Sequence, residues 1–165
     1  MRRRQHLPSR WLFTDERLAD PVALASRLPP GTGVVARHHG TAPASRRRML
    51  RRLTRVAVAR ELTIVDEAEG GVARVHDSRE LRKALSRRAR LIFVSSLYPT
   101  RSHPGRRVLP RMRAAALARL AGRRGYALGG MNERRFAQVR ALGFVGWGGI
   151  DAFASAKGPL RRGSG

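Results

Sequence analysis

The residues best suited to chemistry lie between Pro99 and Pro104, directly after a short apolar segment. Their side chains supply two hydroxyls, a guanidinium and an imidazole, on Thr100, Arg101, Ser102 and His103. Residues 91–94 before them are continuously apolar, which is typical of a strand buried on both faces of a parallel sheet. Each proline lacks an N–H and fixes its own φ, so the pair confines the cluster. Because guanidinium and hydroxyl groups donate to phosphate oxygens, the cluster predicts a pyrophosphate-binding loop.

Two glycine pairs end the last two predicted strands, and they consist of Gly129, Gly130, Gly148 and Gly149. In parallel βα barrels, the loops after the last two strands commonly bind phosphate. Glycine there lets backbone N–H groups approach the phosphate oxygens. The pattern favours a phosphate cradle, and glycines that only relieve the strand ends are the alternative.

Acidic residues end two of the predicted strands. Asp15 lies at the end of the first strand, and Asp66 and Glu67 end the third. Mg²⁺ prefers one or two carboxylates together with water and substrate phosphates. Asp66 is therefore the candidate metal ligand, while solvation or helix capping is the simpler role for the other two.

Basic and histidine residues end further strands. Arg37, followed by His38 and His39, suits a pyrophosphate, although a generic basic loop explains this cluster equally well. His76 is a candidate acid–base group with Asp77 as its partner. A single histidine before a helix is more often structural, so both roles for His76 stay open.

An alternation of strands and helices along the chain must position these residues. Short apolar segments predict seven strands, near residues 11–16, 33–39, 62–67, 72–77, 91–94, 125–130 and 144–150. Periodic apolar residues predict helices between them, among them 44–61, 79–88, 106–124 and 133–142. Such alternation predicts an α/β fold, a parallel barrel of the TIM type. Residues 68–71 are too few for a helix, so the helix expected after the third strand is missing.

Length and composition bound the class of protein. The chain has 165 residues, which suits one domain. We expect a flexible basic leader over 1–10, a single barrel-like domain over 11–153 and a flexible tail over 154–165. The absence of cysteine excludes disulfides and cysteine-based metal sites. No apolar run reaches the ~18 residues of a membrane helix and no signal-type segment is present, so a cytoplasmic protein is expected.

The formal net charge of +24 would, by itself, indicate a nucleic-acid partner. The basic residues are almost all arginine, however, and they are spread over every predicted helix. Alanine is also abundant, so the composition of a coding sequence rich in G and C is the simpler explanation. We therefore expect small phosphorylated substrates as partners, rather than a membrane or a nucleic acid, and a homo-oligomer stays open.

Several segments of the chain resemble the thiamine phosphate synthase and TenI-like family, whose fold is a (β/α)₈ barrel. LIFVSSLYPTRSHPG, ALGGMN and GFVGWGGIDAF are similar to the last third of that family. WLFTDERL resembles its first strand, and VVARHHG falls at its second. The resemblance covers roughly residues 11–153.

The resemblance implies a transferase that couples hydroxymethylpyrimidine pyrophosphate to thiazole phosphate and releases pyrophosphate, with Mg²⁺ as cofactor. By motif, Arg37 takes the position of a pyrophosphate-binding arginine and Asp66 that of a metal-binding aspartate. Thr100 and Ser102 take the hydroxyl positions of the proline–threonine loop, and His103 replaces its lysine. The four glycines correspond to the thiazole phosphate cradle.

The departures from the family suggest alternatives. The family's fourth strand, with its second metal aspartate, has no counterpart here, so the resemblance implies an incomplete Mg²⁺ site and an impaired or inactive transferase. His76, Ser102 and His103 are then the catalytic candidates. A TenI-like thiazole tautomerase is one alternative, because it needs a histidine and a phosphate cradle but no metal. A basic nucleic-acid-binding protein is the other, on charge alone.

Overall fold

The computed structural model describes residues 7–100, 105 and 107–154. Within them the strands are β1 (Arg10–Thr14), β2 (Gly33–Ala36), β3 (Thr63–Asp66), β4 (Val72–Val75), β5 (Leu91–Val94), β6 (Gly125–Ala127) and β7 (Gly146–Gly149). The helices are α1 (Pro21–Ala25), α2 (Pro43–Arg60), α3 (Ser78–Ser86), α4 (Arg111–Ala121), α5 (Glu133–Val139) and α6 (Asp151–Ala154). None of these helices has both the length and the apolarity needed to span a membrane. Most of the predicted leader and tail, residues 1–6 and 155–165, lie outside the described residues.

All strand pairs are parallel, and the strand order in the single sheet is β3-β2-β1-β7-β6-β5-β4. This is the cyclic order of a βα barrel that is open between β3 and β4, two strands that do not pair in the described structure. Residues 67–71 connect them without an α-helix, since they form only the short 3₁₀ turn Glu67–Glu69 and two glycines. The fold is therefore an α/β TIM-like barrel that lacks one unit, as the sequence predicts.

Aromatic rings fill the interior of the curled sheet. Phe13 meets Phe93 with ring centroids 4.7 Å apart, and Phe93 lies 5.2 Å from Tyr126. Successive side chains of a strand point to opposite faces. Trp11 and Phe13 therefore point inward, whereas Leu12 between them packs with residues of α1 and α2. The same alternation decides which residues at the strand ends face the interior.

Several predicted strands are longer than the observed ones, for example β2, which ends at Ala36 rather than at residue 39. Two other boundary errors involve residues with restricted or unusual backbone angles. α4 begins at Arg111 rather than at residue 106, because a proline inside a helix would clash with the preceding turn. Pro110 instead precedes the helix, with ψ of 139°. β6 ends at Ala127 because Gly129 and Gly130 have φ of 93° and 61°, which a strand does not accommodate.

Candidate functional site

Four charged side chains meet at the carboxyl ends of β1 to β3 and beside β4: Asp15, Arg37, Glu67 and Arg74, here called the mouth cluster. Arg37 lies between the two acids, with its Nη1 3.9 Å from Asp15 Oδ2 and its Nε 3.4 Å from Glu67 Oε2. Arg74 Nε lies 3.4 Å from Glu67 Oε1. Asp15, Arg37 and Glu67 each follow an inward-facing residue by two positions, so strand alternation directs them towards the interior end of the sheet.

Glu67 bridges the opening in the sheet. It lies directly after β3, and Arg74 is on β4, so their ion pair spans the two unpaired edge strands. His39 Nε2 also lies 2.7 Å from Glu67 Oε2. The Glu67 side chain is 12 % exposed. Glu67, for which the sequence favours solvation or helix capping, therefore contacts three basic side chains: Arg37, His39 and Arg74.

The structure places Arg37, the predicted pyrophosphate-binding residue, inside the mouth. Its side chain is 23 % exposed, and its Nε is buried with no hydrogen-bond acceptor in the described part of the chain. The contact with Glu67 is thus an electrostatic approach rather than an aligned hydrogen bond. Because a guanidinium carries five N–H donors, Arg37 retains capacity to donate to an anion. His38, its predicted companion, is buried instead, and burial lowers the pKa of His38 below its ordinary value of 6.5.

Asp15 has a second basic partner that the sequence analysis missed. Arg17 donates to Asp15 Oδ2 from Nε at 3.0 Å and from Nη2 at 2.5 Å, and its backbone N–H donates to Oδ1. Burial raises the pKa of Asp15, but the hydrogen bonds from Arg17 outweigh burial, so this pKa lies below its ordinary value of 3.8. Arg17, Arg37 and Arg74 thus face the carboxylates of Asp15 and Glu67 at this end of the sheet.

Asp66, the predicted metal ligand, contacts α2 rather than the mouth cluster. Arg46 Nη1 donates to Asp66 Oδ2 at 2.9 Å, and Arg46 Nη2 contacts Oδ1 more closely still. The backbone N–H of Ala68 donates to Oδ1 at 2.9 Å. The bonded guanidinium of Arg46 holds the pKa of Asp66 below its ordinary value of 3.8.

These contacts do not fit a Mg²⁺ ion at Asp66. Both carboxylate oxygens are committed to N–H donors, and a guanidinium occupies the side from which a cation would approach. Among the described residues, no three His, Cys, Asp or Glu side chains are placed to share a metal. The resemblance implies a Mg²⁺ cofactor, but the contacts of Asp66 do not support one at this carboxylate. Strand alternation could have indicated this, since Asp66 shares the outer face of β3 with Ile64.

His76 pairs with Glu80 and not with Asp77. The Nδ1 of His76 lies 3.0 Å from Glu80 Oε2, and the backbone N–H of His76 donates to the same oxygen at 2.6 Å. Asp77 instead caps α3, accepting from the backbone N–H of Glu80 at 2.8 Å. The two paired side chains are 36 % and 45 % exposed, so a ligand can reach them. The four-residue spacing of the pair was the missed signal.

Close packing explains why glycine occupies three of the four positions in the two glycine pairs. A Cβ on Gly129 would lie 2.9 Å from Ser96 Cα, and one on Gly130 would lie 2.6 Å from Pro99 O, so the segment after β5 requires both glycines. A Cβ on Gly148 would lie 2.7 Å from the ring of Phe13.

The register nevertheless brings the two glycine pairs together. Ala127 on β6 pairs with Trp147 on β7, two residues before Gly129 and Gly149. Both pairs therefore lie at the carboxyl edge of adjacent strands. Their role as a phosphate cradle, Gly148 included, stays a prediction.

Of the predicted proline–threonine loop, Thr100 is described and partly buried. Ser102 and His103, predicted as catalytic, lie outside the described residues, as do Arg101 and Pro104. The segment before Thr100 is held against β6, since Tyr98 N–H donates to Gly129 O at 3.1 Å. The start of this loop therefore lies beside the first glycine pair.

Comparisons with known proteins indicate a fold but no family. No family model matches the chain, and no curated protein matches it. The structure is similar to that of thiamine phosphate pyrophosphorylase from Pyrococcus furiosus, with a TM-score of 0.64, 17 % identity and coverage of 92 % of this chain and 90 % of that chain. A second structure, "Native KDPGal structure", has a TM-score of 0.49 and 13 % identity, over 86 % and 82 % of the two chains. At its identity, the first similarity shows a shared fold alone.

Proposed function

We propose that this chain is a thiamine phosphate synthase-type transferase that binds its phosphorylated substrates at the mouth of the sheet. The observation that carries the proposal is the place of Arg37, at the carboxyl end of β2 in a fold similar to that of thiamine phosphate pyrophosphorylase. In parallel βα folds, this end of the strands is where ligands bind. The guanidinium groups of Arg37 and Arg74 supply N–H donors that suit an anionic ligand.

In the proposed reaction, the bond between the pyrimidine methylene carbon and the pyrophosphate oxygen breaks, and pyrophosphate keeps the electron pair. The thiazole nitrogen then donates its lone pair to the methylene carbon, so no net proton transfer is needed. Negative charge grows on the departing oxygen, and a preorganised donor aimed at that charge lowers the barrier. Arg37 is the donor we assign to this task, and Asp15 and Glu67 hold its guanidinium in place.

Thiazole tautomerase activity is the second candidate, because one observation favours it. His76 and Glu80 form an exposed, hydrogen-bonded pair at the carboxyl end of β4, where an imidazole with a carboxylate partner suits general acid–base chemistry. Such a reaction moves protons on the thiazole phosphate and has no pyrophosphate to stabilise. It would depend on His76 and the glycine turns but not on Arg37.

Thermal unfolding with thiazole phosphate and, separately, with pyrophosphate tests the proposal, with and without Mg²⁺. A ligand at a hundredfold excess over its Kd stabilises the fold by about 2.7 kcal/mol. We expect both ligands to raise Tm in the wild type and Arg37→Gln to lose only the response to pyrophosphate. Arg113→Gln, an exposed change on α4, is the matched control and should respond like the wild type.

Pyrophosphate release on mixing both substrates is the activity measurement. Absence of any ligand response in a cooperatively unfolding protein would overturn the proposal. If thiazole phosphate alone stabilises the protein, and its tautomerisation is lost in His76→Gln, the tautomerase is the correct function. Glu80→Gln should then shift the pH dependence of that rate, because it alters the partner of the imidazole.

A further inference from the structure

Helix α2 presents an unusual set of arginines. It carries seven arginines and no acidic residue among its 18 residues. Two of them have inward partners, since Arg46 binds Asp66 and Arg60 donates to Leu28 O at 3.1 Å. The other five are exposed: Arg47, Arg48, Arg51, Arg52 and Arg55. Their side chains form no ion pair with any residue in the described ranges.

These five side chains share one side of the helix, here called the arginine face. At about 100° per residue they fall within an arc of roughly 140°, and at about 1.5 Å per residue they extend over about 12 Å. The opposite side of α2 is buried in the barrel wall through Leu53 and Ala57. The face therefore lies on the outer wall of the barrel, outside the mouth cluster.

Helix stability does not explain this arrangement. Arg47 with Arg51, Arg48 with Arg52, and Arg51 with Arg55 are like-charge pairs at four-residue spacing, and each destabilises a helix by about 0.2–0.5 kcal/mol. In α3 and α5, acidic residues lie among the basic ones. In α4 there are only three arginines, at positions 111, 113 and 119, and Arg113 points away from the other two.

We propose that the arginine face binds the phosphate backbone of double-stranded nucleic acid. Guanidinium groups pair with phosphates, and a convex row about 12 Å long fits an extended polyanion rather than one small ligand. Contacts of this kind fix position but do not read sequence, and displaced counterions drive the binding. The net charge of +24 adds long-range attraction. The sequence alone indicates arginines spread over all helices, whereas the structure gathers five of them on one side of α2.

An anionic membrane surface fits this face less well. Helices that lie on membranes insert an apolar face bearing Leu, Phe or Trp beside their basic residues. The apolar side of α2 is turned into the barrel, and Val58, 80 % exposed, is the large apolar side chain of this helix that faces solvent. The arginine face can thus contact phosphates but has little apolar surface to insert.

The test is fluorescence anisotropy of short labelled DNA and RNA duplexes of random sequence, titrated with the full chain over a series of salt concentrations. The variant is the triple substitution Arg47→Gln, Arg51→Gln and Arg55→Gln. Glutamine keeps the helix propensity, and the change removes like-charge pairs, so the variant should unfold at the wild-type temperature or above. The control is Arg113→Gln, Arg119→Gln and Arg123→Gln, which removes the same charge from another part of the surface.

We expect the α2 variant to bind duplex on the order of 100-fold more weakly than the wild type, and the slope of log K against log salt to fall by about 2.7. The control should change either quantity by much less. Equal losses in both variants would overturn the proposal, because binding would then follow net charge alone. Wild-type affinity for duplex no better than millimolar at physiological salt, or tighter binding to phosphatidylserine vesicles than to duplex, would also overturn it.

Discussion

Replacement of Asp66 by Asn should destabilise the fold by about 2 kcal/mol, because it breaks the ion pair that joins α2 to the end of β3. The side chains of Asp66 and Arg46 are 11 % and 17 % exposed. The pair therefore lies between exposed pairs, which contribute about 0–1 kcal/mol, and buried pairs, whose disruption costs about 3–5 kcal/mol. Asparagine keeps an Oδ1 acceptor for the Ala68 N–H, so the cap of the following 3₁₀ turn survives and the loss reports the ion pair.

A double-mutant cycle measured by urea unfolding isolates the pair. Arg46→Met keeps an unbranched stem without the charge, and the cycle with Asp66→Asn should give a coupling free energy of about 1–2 kcal/mol at pH 7. Arg47→Met, at the exposed neighbouring position, is the control and should change stability by no more than about 0.5 kcal/mol. For a chain of this size, the loss in Asp66→Asn corresponds to a fall in Tm of about 4–8 °C.

The pH dependence gives an independent check. The pKa of Asp66 is lower in the folded chain than its ordinary value of 3.8, so its contribution to stability is fully present above that value. It is lost as the pH falls from 3.8 towards the lower folded pKa. The stability difference between wild type and Asp66→Asn should hence be constant from neutral pH down to about 5 and shrink below 3.8. A coupling energy indistinguishable from zero at neutral pH, or a difference that persists unchanged in acid, would refute the reasoning.

Three other predictions concern the mouth and the interior. Paramagnetic resonance of Mn²⁺ should show no tight binding to the protein alone, and a bound signal that disappears in Asp66→Asn would contradict our view of that carboxylate. Gly148→Ala should cost about 2 kcal/mol and lower Tm by about 4–8 °C through overpacking. The control is Gly149→Ala, whose Cβ would lie 3.4 Å from its nearest neighbour, and equal losses in the two variants would count against that explanation. Glu67→Gln should lower the free energy of unfolding by about 1 kcal/mol and speed hydrogen exchange in β3 and β4. The same change should tighten pyrophosphate binding. Weaker pyrophosphate binding would show that Glu67 helps to bind the ligand.

Most of the fold was predictable because its signals are local. Each strand is a short apolar segment next to a turn, and the missing unit is visible in the short connection from Glu67 to Val72. The errors lie where one residue overrides periodicity, as Pro110 does at the start of α4. That the sheet opens between β3 and β4, rather than re-forming a smaller closed barrel, depends on the register of all strands and has no local signal.

The candidate site was predictable only in part, because its contacts join residues far apart in the chain. Arg37 could be placed at a strand end from sequence, but its approach to Asp15 and Glu67 depends on how β1, β2 and β3 align. Asp66 and Glu67 show that a shift of one position along the chain changes the face on which a side chain lies. They are adjacent in sequence and both carry a carboxylate. Asp66 nevertheless contacts a helix on the outer face, whereas Glu67 joins the mouth cluster.

Glu67 connects the incomplete fold with the proposed chemistry. Its ion pair with Arg74 links the end of β3 to β4, and the same carboxylate lies beside Arg37. If a phosphorylated ligand binds at Arg37 as we propose, it competes with Glu67 for the guanidinium. In a complete barrel, backbone pairing with the eighth strand would hold both edges, and no carboxylate would need to compete with the ligand. On this proposal, we expect the mouth to bind an anion more weakly than it would in a complete barrel.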